Sequence, residues 1–304
     1  MCHTCQAYDA GFGPLTSQAI PTLLAKAGFP GDLPSGGGGF LDVATGPGYV
    51  TLAAIEAANK TAAERRQAAA GGGGDGDISW AAPTFTALDF SGTFLALAAG
   101  RVGGQCPGVP VAFVEGSAEV LPFANDTFDA IACNFGILHL SDPDAFLRES
   151  LRCLRPGGRL SFSVWAAPPV TEAFALVLGS VSAKGNPDVP LPAGPPFFRF
   201  ADAPEVARSL AEAGFEASES VVVENMRWAN VSSAAQLYDV FLEGTARTRA
   251  LLEGQTPVEA KAVQAEVAKR FQALLADVEG GGGGATRPLR MPAVVSSGRK
   301  PLAK

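Results

Sequence analysis

The chain has 304 residues, 47% of them hydrophobic and 17% charged, which is enough apolar material for one large domain or a core with an appendage. Its formal net charge of -7 provides no general attraction to phosphodiester backbones or anionic membrane surfaces, so nucleic acid is not an expected partner. Five cysteines, Cys2, Cys5, Cys106, Cys133 and Cys153, form an odd and sparse set, which excludes a disulfide scaffold and suits a reducing, cytoplasmic setting.

Cys2 and Cys5 enclose His3 in a C-x-x-C pattern, but no second pair follows at zinc-site spacing and no strand precedes them. Neither a metal nor a redox centre is expected there. No basic segment leads into an apolar run at the N-terminus, and no stretch reaches the roughly 18 uninterrupted apolar residues of a membrane span.

Glycine-rich insertions at 36–39, 71–77 and 280–284 read as surface connectors, because such runs have nothing to pack and lose much backbone entropy on ordering. Between the first two, Phe40 to Ala44 reads as a short buried strand and Val50 to about Ala70 as a helix rich in Ala, Leu, Glu and Arg. Strands are predicted next at Thr84 to Leu88, Val111 to Val114, Ala130 to Asn134 and Arg159 to Trp165, with helices at Thr93 to Val102 and Pro143 to Leu154. Pro156, Gly157 and Gly158 read as a turn. Strands alternating with helices mean parallel pairing through crossovers, hence an α/β class, doubly wound Rossmann-like sheet. Beyond Trp165, helices are predicted at Thr171 to Ala183, Pro204 to Ala213, Ala234 to Leu252 and Pro257 to Val278. Strands are predicted at Ser220 to Met226 and, last, at about Met291 to Ser296. The later helices break the alternation and are expected to form a lid.

The stretch "FLDVATGPGYVT", residues 40–51, places Asp42 ahead of a bend carrying Gly46 and Gly48. A dinucleotide fingerprint requires a third glycine where Thr51 stands, and a carboxylate just before the loop opposes a pyrophosphate while attracting a cationic amino group. A second acid, Asp89, ends the next predicted strand, where it can accept both hydroxyls of a ribose, and apolar Phe90 follows it.

Four motifs in order, D-V-A-T-G-P-G, the strand-ending Asp89, L-P-F-x-x-D-x-F-D and L-R-P-G-G, resemble the class I S-adenosylmethionine-dependent methyltransferases, in particular the ubiquinone and menaquinone biosynthesis branch. The resemblance covers residues 40–165. It implies a seven-stranded methyltransferase sheet with a helical lid, S-adenosyl-L-methionine as cofactor, and a small-molecule methyl acceptor. It further implies that Asp42, Ala44, Gly46 and Gly48 line the methionine end of the cofactor, that Asp89 holds the ribose, and that Phe90, Ser117 and Ala118 lie by the adenine. The family often has an acid where Ser117 stands; the hydroxyl or neighbouring Glu119 is expected to take that contact. Asn134, Phe135 and Gly136 resemble the segment whose backbone faces the sulfonium, and "YDAGFGPLT" resembles the leading helix, with Tyr8 either on the methionine carboxylate or packed under its helix.

His139, in "GILHLSDPD", is the candidate general base, with a loop-holding role as the alternative. Phe198, Arg199, Trp228 and Tyr238, with Phe197, Phe200 and Phe241, are candidate acceptor contacts favouring an apolar or aromatic molecule, or else the lid's own core. Arg199 is matched either to an anionic acceptor group or to a lid carboxylate. The expected layout is a single domain over 1–304, with a core at about 40–165, 200–228 and 286–300 and a lid at about 168–200 and 232–279. Two other readings compete: a non-catalytic methyltransferase-like binding module, and a nicotinamide-dependent oxidoreductase, against which Asp42 and Thr51 stand.

Overall fold

The computed structural model describes residues 3–34, 37–71, 81–276 and 287–303. Among these, the strands are β1 (Gly39–Val43), β2 (Thr84–Asp89), β3 (Val111–Glu115), β4 (Phe128–Asn134), β5 (Leu154–Trp165), β6 (Glu216–Val223), β7 (Arg227–Trp228), β8 (Leu289–Arg290) and β9 (Ala293–Arg299). The helices are α1 (His3–Gly11), α2 (Gly13–Thr16), α3 (Ile20–Lys26), α4 (Tyr49–Gly71), α5 (Gly92–Gln105), α6 (Pro143–Cys153), α7 (Glu172–Lys184), α8 (Ala203–Ala213), α9 (Ala234–Gly244), α10 (Ala246–Glu253) and α11 (Pro257–Ala276). Two compact units divide the chain: residues 16–164, 195–221 and 294–304 form one, and residues 1–15, 165–194 and 222–293 the other.

The first unit is built on a seven-stranded sheet of order β3-β2-β1-β4-β5-β9-β6. Its β1–β2, β2–β3, β1–β4 and β4–β5 pairs are parallel, as strand–helix alternation requires. Every residue of β1 is buried, the signature of a central parallel strand covered on both faces. Local chemistry sets where the crossover helices begin. Ser91 accepts from Phe94 N at the start of α5, and Asp142 accepts from Ala145 N ahead of Pro143 at the start of α6. At the other end of α8, Gly214 takes φ +100 and closes the helix with a left-handed cap.

The order of the strands positions the site. From β1 the chain moves outward through β2 to β3, then returns to β4 on the other side of β1. Connections that leave a strand in opposite directions open a crevice at its carboxyl end, where sheets of this kind hold ligands.

The second unit is mainly helical, with α9 against α1 and α10, and α11 against α7 and α9. A short antiparallel ladder, Arg227 with Arg290 and Trp228 with Leu289, completes it. Trp228 is fully buried, donates Nε1 to Gly11 O at 3.0 Å, and lies 4.8 Å from the Phe12 ring and 6.0 Å from the Phe241 ring. A salt bridge between Arg287 and Glu172, 2.8 Å, ties α7 to the start of β8.

Three sequence expectations need correction. Pro156, Gly157 and Gly158 lie within β5, because Gly157 N donates to Lys300 O and Lys300 N to Gly158 O, a ladder no local signal announces. The helix expected from Ala234 to Leu252 breaks at Thr245, which is extended at φ -130 and ψ 139. The glycine run at 36–39 is not wholly a connector: Gly39 opens β1 and donates its N–H to Asp129 Oδ2 at 2.8 Å. Of the other two glycine-rich insertions, only Gly71, the last residue of α4, is among the described residues.

Candidate functional site

Asp42, on β1, is fully buried. Its Oδ2 accepts three hydrogen bonds, from Thr45 Oγ1 at 2.6 Å, Thr51 Oγ1 at 2.7 Å and Thr51 N at 3.0 Å. Its Oδ1 is buried and accepts none from the described residues. Burial pushes this carboxyl up to about 6, against the three donors that favour the ionised form, and the nearby charge of Asp89 adds slightly in the same direction. Buried acceptors are almost always paired, so an empty one at a strand's ligand-binding edge marks where a donor is to be received.

The bend after Asp42 is held in left-handed backbone at Ala44 (φ 55), Gly46 (φ 52) and Gly48 (φ 85). For Ala44 this conformation costs about 1–2 kcal/mol, which the surrounding contacts must offset. Those contacts are visible. Gly46 N donates to Asp89 Oδ2 at 2.8 Å and Thr45 N to Leu88 O at 3.0 Å, so the end of β2 holds the bend. A Cβ on Gly46 would meet no atom within 4 Å, whereas one on Gly48 would lie 2.9 Å from Ala98 Cα. One side of the bend is therefore open and the other is closed by α5. One turn along α5 from Ala98, Arg101 donates to Pro47 O and stacks 3.9 Å over the Tyr49 ring.

Asp89 uses its second oxygen, Oδ1, to accept from Ser91 N at 2.9 Å. Burial raises this carboxyl as well. Backbone amides of Ser91, Gly46 and Phe90 oppose that rise, and a carboxylate's two oxygens can accept further donors such as a ligand hydroxyl. Phe90 beside it is 79% exposed, so its ring is open to solvent.

Of the remaining predicted cofactor residues, Ser117, Ala118, Phe135 and Gly136 fall on loops of the same unit, Asn134 ends β4 there, and Tyr8 lies on α1 of the other unit. Ser117 is exposed and accepts from Glu119 N at 3.1 Å, and Ala118 is buried. Glu119 is engaged within the fold: its Oε1 accepts from Ser141 N and Asp142 N, tying this loop to the start of α6. Asn134 is spent on structure, donating to Thr16 O at 3.1 Å and accepting from Ser163 Oγ at 2.6 Å. Phe135 is left-handed at φ 54, and a Cβ on Gly136 would lie 2.6 Å from Ala44 Cβ, so the loops after β1 and β4 are pressed together. Ala44 and Gly136 thus meet at the crevice that the strand order predicts.

His139 ends a short 3-10 turn, is exposed, and has its ring 6.1 Å from that of Phe197, which in turn sits 5.0 Å from Phe198. Arg199 is corrected as a substrate residue. Its guanidinium bonds both oxygens of Asp144 at 2.8 and 2.9 Å, Glu205 Oε1 at 2.6 Å and Ser209 Oγ at 3.0 Å, so it joins α6 to α8. Trp228 and Tyr238 are also corrected. Both belong to the core of the helical unit, with exposures of 0% and 5%; burial raises the Tyr238 hydroxyl, which bonds Gln264. Tyr8 stacks on Phe12 at 5.7 Å within that unit.

Cys2 lies outside the described residues, and among the described residues no group of three or more His, Cys, Asp or Glu is arranged to hold a metal ion. No helix among them is long and apolar enough to cross a membrane. A cavity of about 940 Å³ opens at the opposite end of the sheet, between α4 and the beginnings of β2 and β3, and none of the crevice residues lines it. Sequence reasoning missed Thr45, Thr51 and Arg101; the two threonines carry a legible signal, since they bracket the glycine bend at positions three and nine after the acid.

Residues 68–162 match the family model described as "Methyltransferase domain". The chain is 36% identical over 120 residues to the ubiquinone/menaquinone biosynthesis C-methyltransferase UbiE of Agrobacterium fabrum, an overlap of 40% of this chain and 38% of the relative. The chain thus spans less than half the length of the curated relatives it matches. Among solved structures it resembles the [4+2]-cyclase SpnF (TM-score 0.52, 20% identity, 94% of this chain and 81% of the other). It also resembles Haemonchus contortus phosphoethanolamine N-methyltransferase 2 in complex with S-adenosyl-L-methionine (TM-score 0.50, 17% identity, 98% and 56%). At those identities the structural matches establish the fold. Together the matches bear out the resemblance to class I methyltransferases related to the ubiquinone and menaquinone branch. The matched residues of the family model begin after the Asp42 bend, so that part of the site stands on its own geometry.

Proposed function

We propose that this chain is an S-adenosylmethionine-dependent methyltransferase acting on a small-molecule acceptor. One observation carries the reading: a buried carboxylate with an empty oxygen, Asp42 Oδ1, beside a bend whose outer side is open at Gly46. That pairing suits a ligand with a cationic amino group and does not suit a pyrophosphate.

When bound, the cofactor supplies an electrophilic methyl group on a sulfonium. Asp42 receives the amino group, directly or through one water, and Asp89 receives the ribose hydroxyls while anchoring the bend. Phe90, Ser117 and Ala118 would flank the adenine, and Ala44, Gly46 and Gly48 would line the methionine end, with the open side at Gly46. The backbone of Asn134, Phe135 and Gly136 faces the reacting centre, and Tyr8 is our candidate for the methionine carboxylate. What the chain contributes to such a displacement is orientation, exclusion of water and, for a reluctant nucleophile, a base. His139, exposed after β4 and set against Phe197, is the candidate to take the acceptor's proton. The half-buried pair Phe197 and Phe198 favours an apolar or aromatic acceptor. The relatives named for quinone biosynthesis make a quinone-type ring the first acceptor to test. A cytoplasmic location accords with the sparse cysteines.

The test is calorimetry with S-adenosylmethionine and S-adenosylhomocysteine, followed by transfer of labelled methyl into a cell extract by the wild type and by H139Q. Micromolar binding and a labelled product are expected, with H139Q binding normally and turning over at least ten-fold more slowly. Folded protein that binds neither compound sinks the reading. Binding without any transfer supports a non-catalytic module, and full activity in H139Q removes His139 as base.

A further inference from the structure

We infer that Thr45 and Thr51 are positioning residues for cofactor recognition: they pin one oxygen of Asp42 so that the other is the single acceptor left for the cofactor's amino group. The inference rests on the function proposed above. Three donors converge on Oδ2, and two of them are threonine hydroxyls that lie 3.2 Å apart, so the carboxylate cannot rotate without breaking several bonds at once. Thr51 gives two of the three, from its backbone and its side chain, which makes the residue that spoils a dinucleotide fingerprint the principal holder of the acid.

A second consequence is electrostatic. With Oδ2 filled, a proton taken up by Asp42 goes to Oδ1, the atom the ligand needs. The hydroxyl donors favour the ionised form and hold that proton off. The charged or titratable groups that face Asp42 are Asp89 at the end of β2, whose charge reaches it, and the Cys133 thiol on β4, raised first by its burial and then by the charge of Asp42. Neither is a cation, so the threonines are the groups that oppose protonation.

The test is the pH dependence of S-adenosylhomocysteine affinity from pH 5 to 8, measured calorimetrically for wild type, T51V, T51S and T45V. Alongside it, the Asp42 carboxyl carbon is titrated by NMR in the ligand-free proteins. Valine keeps the shape of threonine and removes the hydroxyl. The acid limb of the affinity profile and the carboxyl titration are both expected to move up by about one pH unit in T51V and T45V, while T51S stays with wild type. An affinity loss of about 3- to 10-fold at neutral pH accompanies the shift, as for one lost charge-assisted bond. Midpoints unchanged in both valine variants, with thermal unfolding showing them folded, overturn the inference. Failure of the wild type to bind either compound defeats the functional reading instead, and the ligand-free titration still decides what the threonines do. Should T51V not fold, T45V and T51S carry the same comparison.

Discussion

Asp42 is ionised at neutral pH in a place that penalises its charge. Its carboxyl is raised from the ordinary 3.8 to about 6, so the folded chain binds this proton more tightly than the unfolded chain. The stabilising contribution of that proton is full below pH 3.8 and is lost as pH rises through about 6, a difference on the order of 3 kcal/mol by linkage. Hence D42N is expected to lose at least ten-fold in cofactor affinity and yet gain thermal stability over wild type, with the gain larger at pH 8 than at pH 5. The amide leaves an unmatched N–H near the position of Oδ1, which trims the gain. Thermal melts at both pH values decide this: an identical pH dependence in D42N and wild type would mean the carboxyl is not destabilised by burial. A charge retained at such a cost is one that folding alone does not explain.

The β1–bend–α4 element was legible in the sequence because its determinants are local: a short apolar run, glycines at fixed spacing and an alanine-rich helix. The two glycines look equivalent as letters but are opposite in space. G48A forces a Cβ onto Ala98 at φ +85 and is expected to cost stability, about 2–4 kcal/mol from strain and overpacking. G46A, with open space around it, is expected to cost only about 1–2 kcal/mol from its backbone conformation while losing cofactor affinity ten-fold or more. Denaturant titration beside calorimetry separates them, and equal effects of the two variants on both measurements would contradict the one-sided bend. Where determinants are distant, the sequence was silent. Pro156 to Gly158 looked like a turn because nothing nearby shows Lys300 bonding across them. Arg199 was open between an anionic acceptor and a carboxylate partner because Asp144, 55 residues away, is invisible in its local context. Trp228 and Tyr238 were open between pocket lining and core since an aromatic in either place is the same letter until burial is known. The acids and the bend carried local signal, and the sheet followed from the family resemblance; the residues proposed for the acceptor side had neither.

Across the whole molecule, both units are assembled from separated stretches of chain, three apiece. The helical unit depends on contacts that join its stretches, and Trp228 makes several, through Gly11, Phe12 and Phe241. W228A is expected to destabilise that unit by about 3–5 kcal/mol, read by denaturant unfolding. An unchanged midpoint would show the indole to be dispensable. The sheet has its own distant dependency: β9 lies between β5 and β6, hydrogen-bonded to both, with Ser296 Oγ 2.9 Å from Ser220 Oγ. During synthesis, then, the ribosome delivers β5 and β6 long before the strand that belongs between them. Until residues 293–299 clear the exit tunnel, the nascent chain presents two open backbone edges, and it is in that interval, more than after release, that it is vulnerable to pairing with the wrong neighbour.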